Sequence, residues 1–239
     1  MKYYYDLHIH SVISACADIL QTPNNILNMS MLKGLDIISI CDHNSAKQYK
    51  TIDKIKDSFD FLVIYGMEVT VKEGFHVLTY FEKYDDIMSL DEVIDSSLDK
   101  NVTVESLNNK SLNEQTVCNV YDLEEYVIPY YLNQPSISFS ELISIVHRLG
   151  GLVIPAHIDR KNTGILDFIS DFEKYDIDGI EIYKIEDYDN LTTMYPYLKK
   201  YKYLHSSDAH DIEAINEREF SIDLDDLSFK SFKAWLKNS

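Results

Sequence analysis

The chain is poor in the residues that break or staple a backbone. Among 239 residues there are 7 glycines and 5 prolines, which excludes collagen-like repeats and low-complexity disorder. The 3 cysteines, Cys16, Cys41 and Cys118, are too few, and odd in number, for a disulfide framework, so a reducing compartment, the cytoplasm, is expected. Positive charge is scarce too. Against 40 acidic residues stand 22 Lys and Arg, a formal net charge of −18. Such a field repels a polyanion, and no Lys/Arg run offers a basic track, so no long nucleic acid is expected as a partner. No apolar run approaches membrane-spanning length, and no membrane partner is expected. Asp6, His8 and His10 interrupt the place where a signal peptide would be apolar.

What is present is a hydrophobic content of 45%, enough for a sizeable core, in a length that suits one α/β barrel. Short apolar runs alternate with amphipathic stretches. Strands are expected at 3–9, 36–41, 61–65, 75–81, 152–155, 179–183 and 203–207. Residues 66–71 should carry the third strand into a turn. Helices are expected at about 24–33, 44–57, 139–149, 165–172, 187–199 and 229–236, with Thr22-Pro23 opening the first and Gly34 closing it. Alternation of this kind favours a parallel sheet, closed or nearly closed, with chemistry at the C-terminal strand ends. From about 82 to 138 the rhythm breaks into a polar, acidic, Tyr-rich stretch with one expected helix at 89–98. That stretch reads as an insertion or cap on a single domain spanning 1–239.

Six of the eight histidines lie at or just after strand ends: His8, His10, His43, His76, His157 and His210. Asp6, His8 and His10 alternate along one strand, so all three share a face. Two imidazoles and a carboxylate facing a barrel interior are costly unless they are paired or bind metal. Each other strand end adds polar residues: Asp42-His43-Asn44, Gly66-Met67-Glu68, Pro155-Ala156-His157 and Ser207-Asp208-Ala209-His210. One such group is an ordinary polar loop. Their convergence at one mouth points to a metal cluster.

These motifs, with Asp6-Leu7-His8-Ile9-His10-Ser11, resemble the polymerase-and-histidinol-phosphatase (PHP) superfamily of metal-dependent phosphoesterases, in the same order and over nearly the whole chain. The resemblance implies a distorted (β/α)7 TIM-like barrel holding two or three divalent ions, reported as zinc, manganese or iron. It implies that one ion takes His8, His10, Glu68 and Asp208. A second shares Glu68 and takes His76 and His157. The third takes His43, His210 and a residue from the loop after the first strand. Asp18 and Cys16 compete for that last place, with Asp18 preferred. An oxygen ligand suits manganese or iron, and a thiolate favours zinc.

Clustered divalent ions acidify water, offset part of the −18 charge and attract phosphate. Asp6 and Asp42 are candidates to orient imidazoles, although Asp42 also suits a helix N-cap. Arg160, three residues after His157, is the candidate phosphate clamp, since a guanidinium fork matches phosphate geometry. Lys161 is a weaker candidate. Glu181 is expected to be structural or to support a ligand. His147 should face solvent, and His205 should not be a ligand. The expected activity is hydrolysis of a phosphate ester of a small metabolite or nucleotide. The alternatives are an exonuclease or phosphodiesterase on short oligonucleotides, a metal-dependent amide or ester hydrolase, and a non-catalytic metal-binding PHP module. No Lys stands at a strand end to be carboxylated, as many amide hydrolases of this shape require.

Overall fold

The first strand, β1 (Lys2–Ile9), sets the plan of the molecule. Its odd positions Tyr5, Leu7 and Ile9 are apolar and buried in the core, while Asp6, His8 and His10 are fully buried on the other face. A strand buried on both faces belongs in the middle of a layered α/β structure. The computed structural model describes residues 1–237, a mixed α/β fold. After β1 come α1 (Pro23–Leu32), β2 (Ile37–Ile40), α2 (Tyr49–Ile55), β3 (Leu62–Val63), β4 (Tyr65–Thr70) and β5 (His76–Phe81). Next are α3 (Tyr84–Ser97), β6 (Thr116–Cys118), β7 (Glu124–Val127), α4 (Phe139–Arg148) and β8 (Leu152–Pro155). The chain continues through β9 (Ile180–Glu181), α5 (Tyr188–Met194), β10 (Tyr203–Leu204), β11 (Ser221–Asp223) and α6 (Phe229–Lys237).

Among the described residues the strands form four ladders, ordered β11-β1-β2-β3, β10-β9, β4-β5-β8 and β6-β7. β1, β2 and β3 run parallel, as do β9 and β10. The expected parallel pairing fails in the third ladder, where β4–β5 and β5–β8 are antiparallel. The five residues 71–75 between β4 and β5 are too few for a parallel crossover, so a hairpin forms. Parallel bridges Ile9–Ala209 and His43–Glu68 link strand ends across the ladders, and both lie in the histidine-rich region.

Several boundaries differ from the sequence reading. Residues 66–70 are strand, not turn. Residue 66 must be glycine, because a Cβ there would sit 2.3 Å from Ser39 Oγ and 2.6 Å from Cys41 Sγ. That close approach lets β4 lie against β2. The expected helix at 165–172 shrinks to one 3-10 turn, Ile165–Asp167. The carboxylates of Asp167 and Asp171 take the local N–H groups of Asn162 and Glu173, a bonding pattern that competes with helix. Thr22 stands at the N-cap of α1 ahead of Pro23, as expected, but its hydroxyl donates to Asp122 at 2.6 Å and accepts no helix N–H. α4 carries a full capping box between Ser138 and Glu141.

The stretch from 82 to 138 holds a longer helix than expected, α3, and an unforeseen hairpin, β6–β7. It packs on the loop after β1. Asn113 N–H donates to Ala15 O at 2.7 Å and Thr116 N–H to Val12 O at 3.0 Å. Ile13 of that loop shares a small apolar cluster with Leu98, Val117, Ile128 and Leu132. No helix among the described residues is long and apolar enough to cross a membrane.

Candidate metal centre

Glu68, in β4, is the centre of the site and is fully buried. Its Oε1 lies 2.8 Å from His76 Nδ1, 3.0 Å from His157 Nε2 and 3.5 Å from His8 Nε2. Its Oε2 lies 2.8 Å from His43 Nδ1 and 3.4 Å from His10 Nε2. Burial works against its charge, but His76, His43 and His8 hold its carboxyl well below the ordinary range. Asp208 closes the other side, its Oδ1 3.0 Å from His10 Nε2 and 3.4 Å from His8 Nε2. Burial opposes its charge too, and His8 and His10 bring it well down. His210 stacks on His10 with ring centroids 4.2 Å apart.

The hydrogen-bond network fixes how the rings of His8 and His10 point. Ser14 Oγ donates to Asp42 Oδ1 at 2.8 Å, so it must accept from His10 Nδ1 at 2.9 Å. His8 Nδ1 sits 3.1 and 3.3 Å from the two Glu181 oxygens and donates to them. Both rings therefore turn Nε2 inward, and those two nitrogens are only 3.2 Å apart. His43 Nδ1 and Glu68 Oε2, 2.8 Å apart, lack hydrogen-bond geometry, and both are buried without a partner. Buried polar atoms left like this are costly. A cation among them meets the need, and His/carboxylate donors suit zinc, manganese or iron. Three groups have ligand atoms mutually within 4.8 Å: His8/His10/Glu68, His43/Glu68/His76 and His10/His43/His210. His43 thus stands beside Glu68 and His76 as well as beside His210, a placement the sequence reading did not anticipate.

The remaining candidates divide. Asp42 does not cap a helix, since α2 begins seven residues later at Tyr49. It accepts from Ser11 N–H at 2.7 Å, Ser11 Oγ at 2.6 Å and Ser14 Oγ, and so steers His10 through a hydroxyl. Burial pushes its carboxyl up, against those bonds. Asp6 orients no imidazole. It clamps backbone, accepting from Ser207 N–H at 3.1 Å and Asn216 N–H at 2.9 Å, and burial raises its carboxyl as well. Glu181 takes the part expected of Asp6: besides His8 it accepts His157 N–H at 2.9 Å.

Asp18 is exposed, and its carboxylate accepts Leu20 N–H at 2.8 Å, leaving only its backbone N–H on His210 O at 2.7 Å. Cys16 keeps some exposure, yet its thiol is pushed up to about 12 by burial and by the Glu68 carboxylate. Neither residue belongs to the three groups of closely spaced ligand atoms. Arg160 pairs with Asp208 and lies over the Tyr183 ring at 4.7 Å. His147 bonds Asp178 at 2.8 Å and is half-buried, not free in solvent. His205 bonds Ile182 O at 2.8 Å, away from the cluster.

Backbone strain marks the same place. Asn44, His157 and Asp208 have φ of 49°, 28° and 51°, left-handed values that cost about 1–3 kcal/mol each for ordinary residues. Asn44 holds its turn by donating to Leu132 O at 2.7 Å and accepting Thr70 N–H at 3.0 Å. The loop after His157 closes through Gly164, where a Cβ would meet the carbonyl oxygens of Ile158, His157 and Arg160 at 2.5–2.7 Å.

Comparison with known proteins follows this geometry. No family model matches the sequence. An uncharacterized protein of Methanocaldococcus jannaschii is 31% identical over 77 residues, 29% of this chain and 45% of that one. A lesion-specific endonuclease of Pyrococcus furiosus, endonuclease Q, has a TM-score of 0.69 at 17% identity, over 99% of this chain and 56% of that chain. A protein of Bifidobacterium adolescentis designated a metal-dependent phosphoesterase has a TM-score of 0.61 at 18% identity, over 97% and 94%. A two-domain Bacteroides vulgatus protein with a PHP-like phosphoesterase part has a TM-score of 0.52 at 16% identity, over 100% and 63%. An amidohydrolase of Chromobacterium violaceum with bound sulfate has a TM-score of 0.62 at 16% identity, over 94% and 93%. The fold is shared with these structures, PHP-like phosphoesterases among them. The chain spans about half the length of the M. jannaschii protein and of endonuclease Q.

Proposed function

We propose that the chain is a metal-dependent hydrolase of phosphate esters, acting in the cytoplasm on a small phosphorylated metabolite or a nucleotide. The observation that carries this reading is the pair of inward-facing Nε2 atoms of His8 and His10, 3.2 Å apart between Glu68 and Asp208. His8, His10, Glu68 and Asp208 would hold one ion. Glu68, His76 and His157 would hold a second. His43 and His210, with Cys16 or Asp18, would hold a third. Zinc, manganese or iron fits these donors. When bound, such ions supply Lewis acidity and bring the pKa of water toward neutrality.

The chain's own groups complete the site. Glu181 and the Asp42–Ser14 relay orient the two imidazoles. Arg160 offers its guanidinium fork to a phosphoryl oxygen at the rim of the cluster. The three ladders other than β6–β7 would make up the distorted barrel, and 82–138, which holds β6–β7, would serve as its cap. A second reading, incision of DNA, is favoured by the likeness to endonuclease Q. The charge of −18 weighs against it. Nor does that likeness separate phosphate from amide chemistry, since an amidohydrolase shares the fold.

A hydrolysis panel decides among these. Metal-loaded protein is assayed for release from sugar phosphates, nucleotides, short oligonucleotides, a duplex with an abasic site, and simple amides. Phosphate release from small esters, lost in Asp208→Ala, is expected. Cleavage of the duplex alone would move the substrate class to DNA. Amide hydrolysis alone, or no turnover with fully loaded protein, would overturn the proposal.

A further inference from the structure

Away from the metal cluster, a cavity of about 530 Å³ opens beside β10 and β11. Among the described residues β10 pairs only with β9, and β11 only with β1, so each has an edge without a strand partner there. Tyr5 bridges this region, its backbone N–H donating to Phe220 O and its hydroxyl accepting His205 N–H, both at 3.1 Å. The walls are aromatic. Tyr188 and Tyr203 form one pair, centroids 4.5 Å apart, and His205 and Phe220 another, 4.4 Å apart. Trp235 of α6, the chain's only tryptophan, also lines it, with Lys202 Nζ 5.9 Å from its ring centroid.

The charge of the lining is unusual for this chain. Overall, 40 acidic residues face 22 basic ones, yet among the described residues no carboxylate lines the cavity, while Lys202 and His205 do. Its volume lies in the range of small-molecule sites, about 300–1,000 Å³. Aromatic faces grip flat rings by stacking. A lone ammonium beside them selects a negative group on the ring's edge. We propose that this cavity is a second binding site, for a flat aromatic anion, separate from the metal centre and independent of the reaction assigned there.

The single tryptophan makes the test direct. In a 1H–15N spectrum, one indole N–H signal belongs to Trp235. Full-length protein is titrated with quinoline-3-carboxylate, with the neutral quinoline-3-carboxamide, and with acetate. The carboxylate should shift the indole signal saturably and bind at least about threefold tighter than the carboxamide, the effect of one partly exposed charge pair. Acetate should not move it. Tyr203→Ala, at an exposed position, should weaken the carboxylate by about tenfold or more. Lys202→Gln should bring it down to the carboxamide's affinity. Asp208→Ala should leave the titration unchanged. An unmoved indole signal, equal binding of acid and amide, or wild-type binding by Tyr203→Ala would each overturn the proposal. So would loss of the response in Asp208→Ala, which would place the ligand at the metal centre.

Discussion

Two carboxylates that touch no substrate decide how the histidines point. Glu181 holds His8 Nδ1 at 3.1 Å, and Asp42 reaches His10 through Ser14. Partners of this kind tune ligand orientation, and losing one costs about 10–100-fold in metal affinity. Glu181→Gln should therefore weaken metal binding by that factor in a competition titration with a chelator, while leaving the folded spectrum intact. Unchanged affinity would show that His8 needs no such partner. His147 gives a separate, pH-dependent test. The hydrogen bond that its ring donates to the Asp178 carboxylate raises its pKa. A raised histidine stabilises the fold fully below its unfolded pKa of about 6.5, and the effect is lost as pH rises through the folded value. The pair lies near the surface, with the His147 side chain 27% exposed, so screening limits it to less than about 1 kcal/mol. His147→Gln should lower stability at about pH 5.5 and do little at about pH 9 in urea melts. The clustering of these side chains was legible because histidines at strand ends are conspicuous. The Ser14 relay was not, because a serine four residues after a histidine has many ordinary uses.

At the scale of elements, the site depends on backbone that only particular residues tolerate. The 157–164 loop turns so tightly that Gly164 faces three carbonyl oxygens. Gly164→Ala forces the loop open, and should cost about 2 kcal/mol or more through displaced backbone. Thermal melts would read the loss, and metal affinity should fall with it because His157 rides on this loop. A variant with wild-type melting and affinity would contradict this account. Strands of β1, β5 and β8 were legible from apolar periodicity. The antiparallel β4–β5 pairing was masked by Gly66, which reads as a turn residue but serves close packing of β4 on β2. The hairpin β6–β7 was hidden too: β7 is Glu124–Val127, mostly exposed and acidic, with little apolar pattern to mark it.

Over the whole molecule, six histidines and two carboxylates crowd one buried centre in a chain of net charge −18. Bound ions supply the positive charge this centre needs, and anything that binds only the folded state stabilises it. Chelation should lower the melting temperature by about 10 °C, and adding back zinc or manganese should restore it. The measurement closest to the central claim is metal content. Elemental analysis of purified protein, dialysed against metal-free buffer, should find two or three divalent ions per chain. Glu68→Gln, which removes the carboxylate shared by five imidazoles, should leave at most one. Protein that refuses zinc, manganese and iron alike, or a Glu68→Gln variant that retains the full complement, would contradict it.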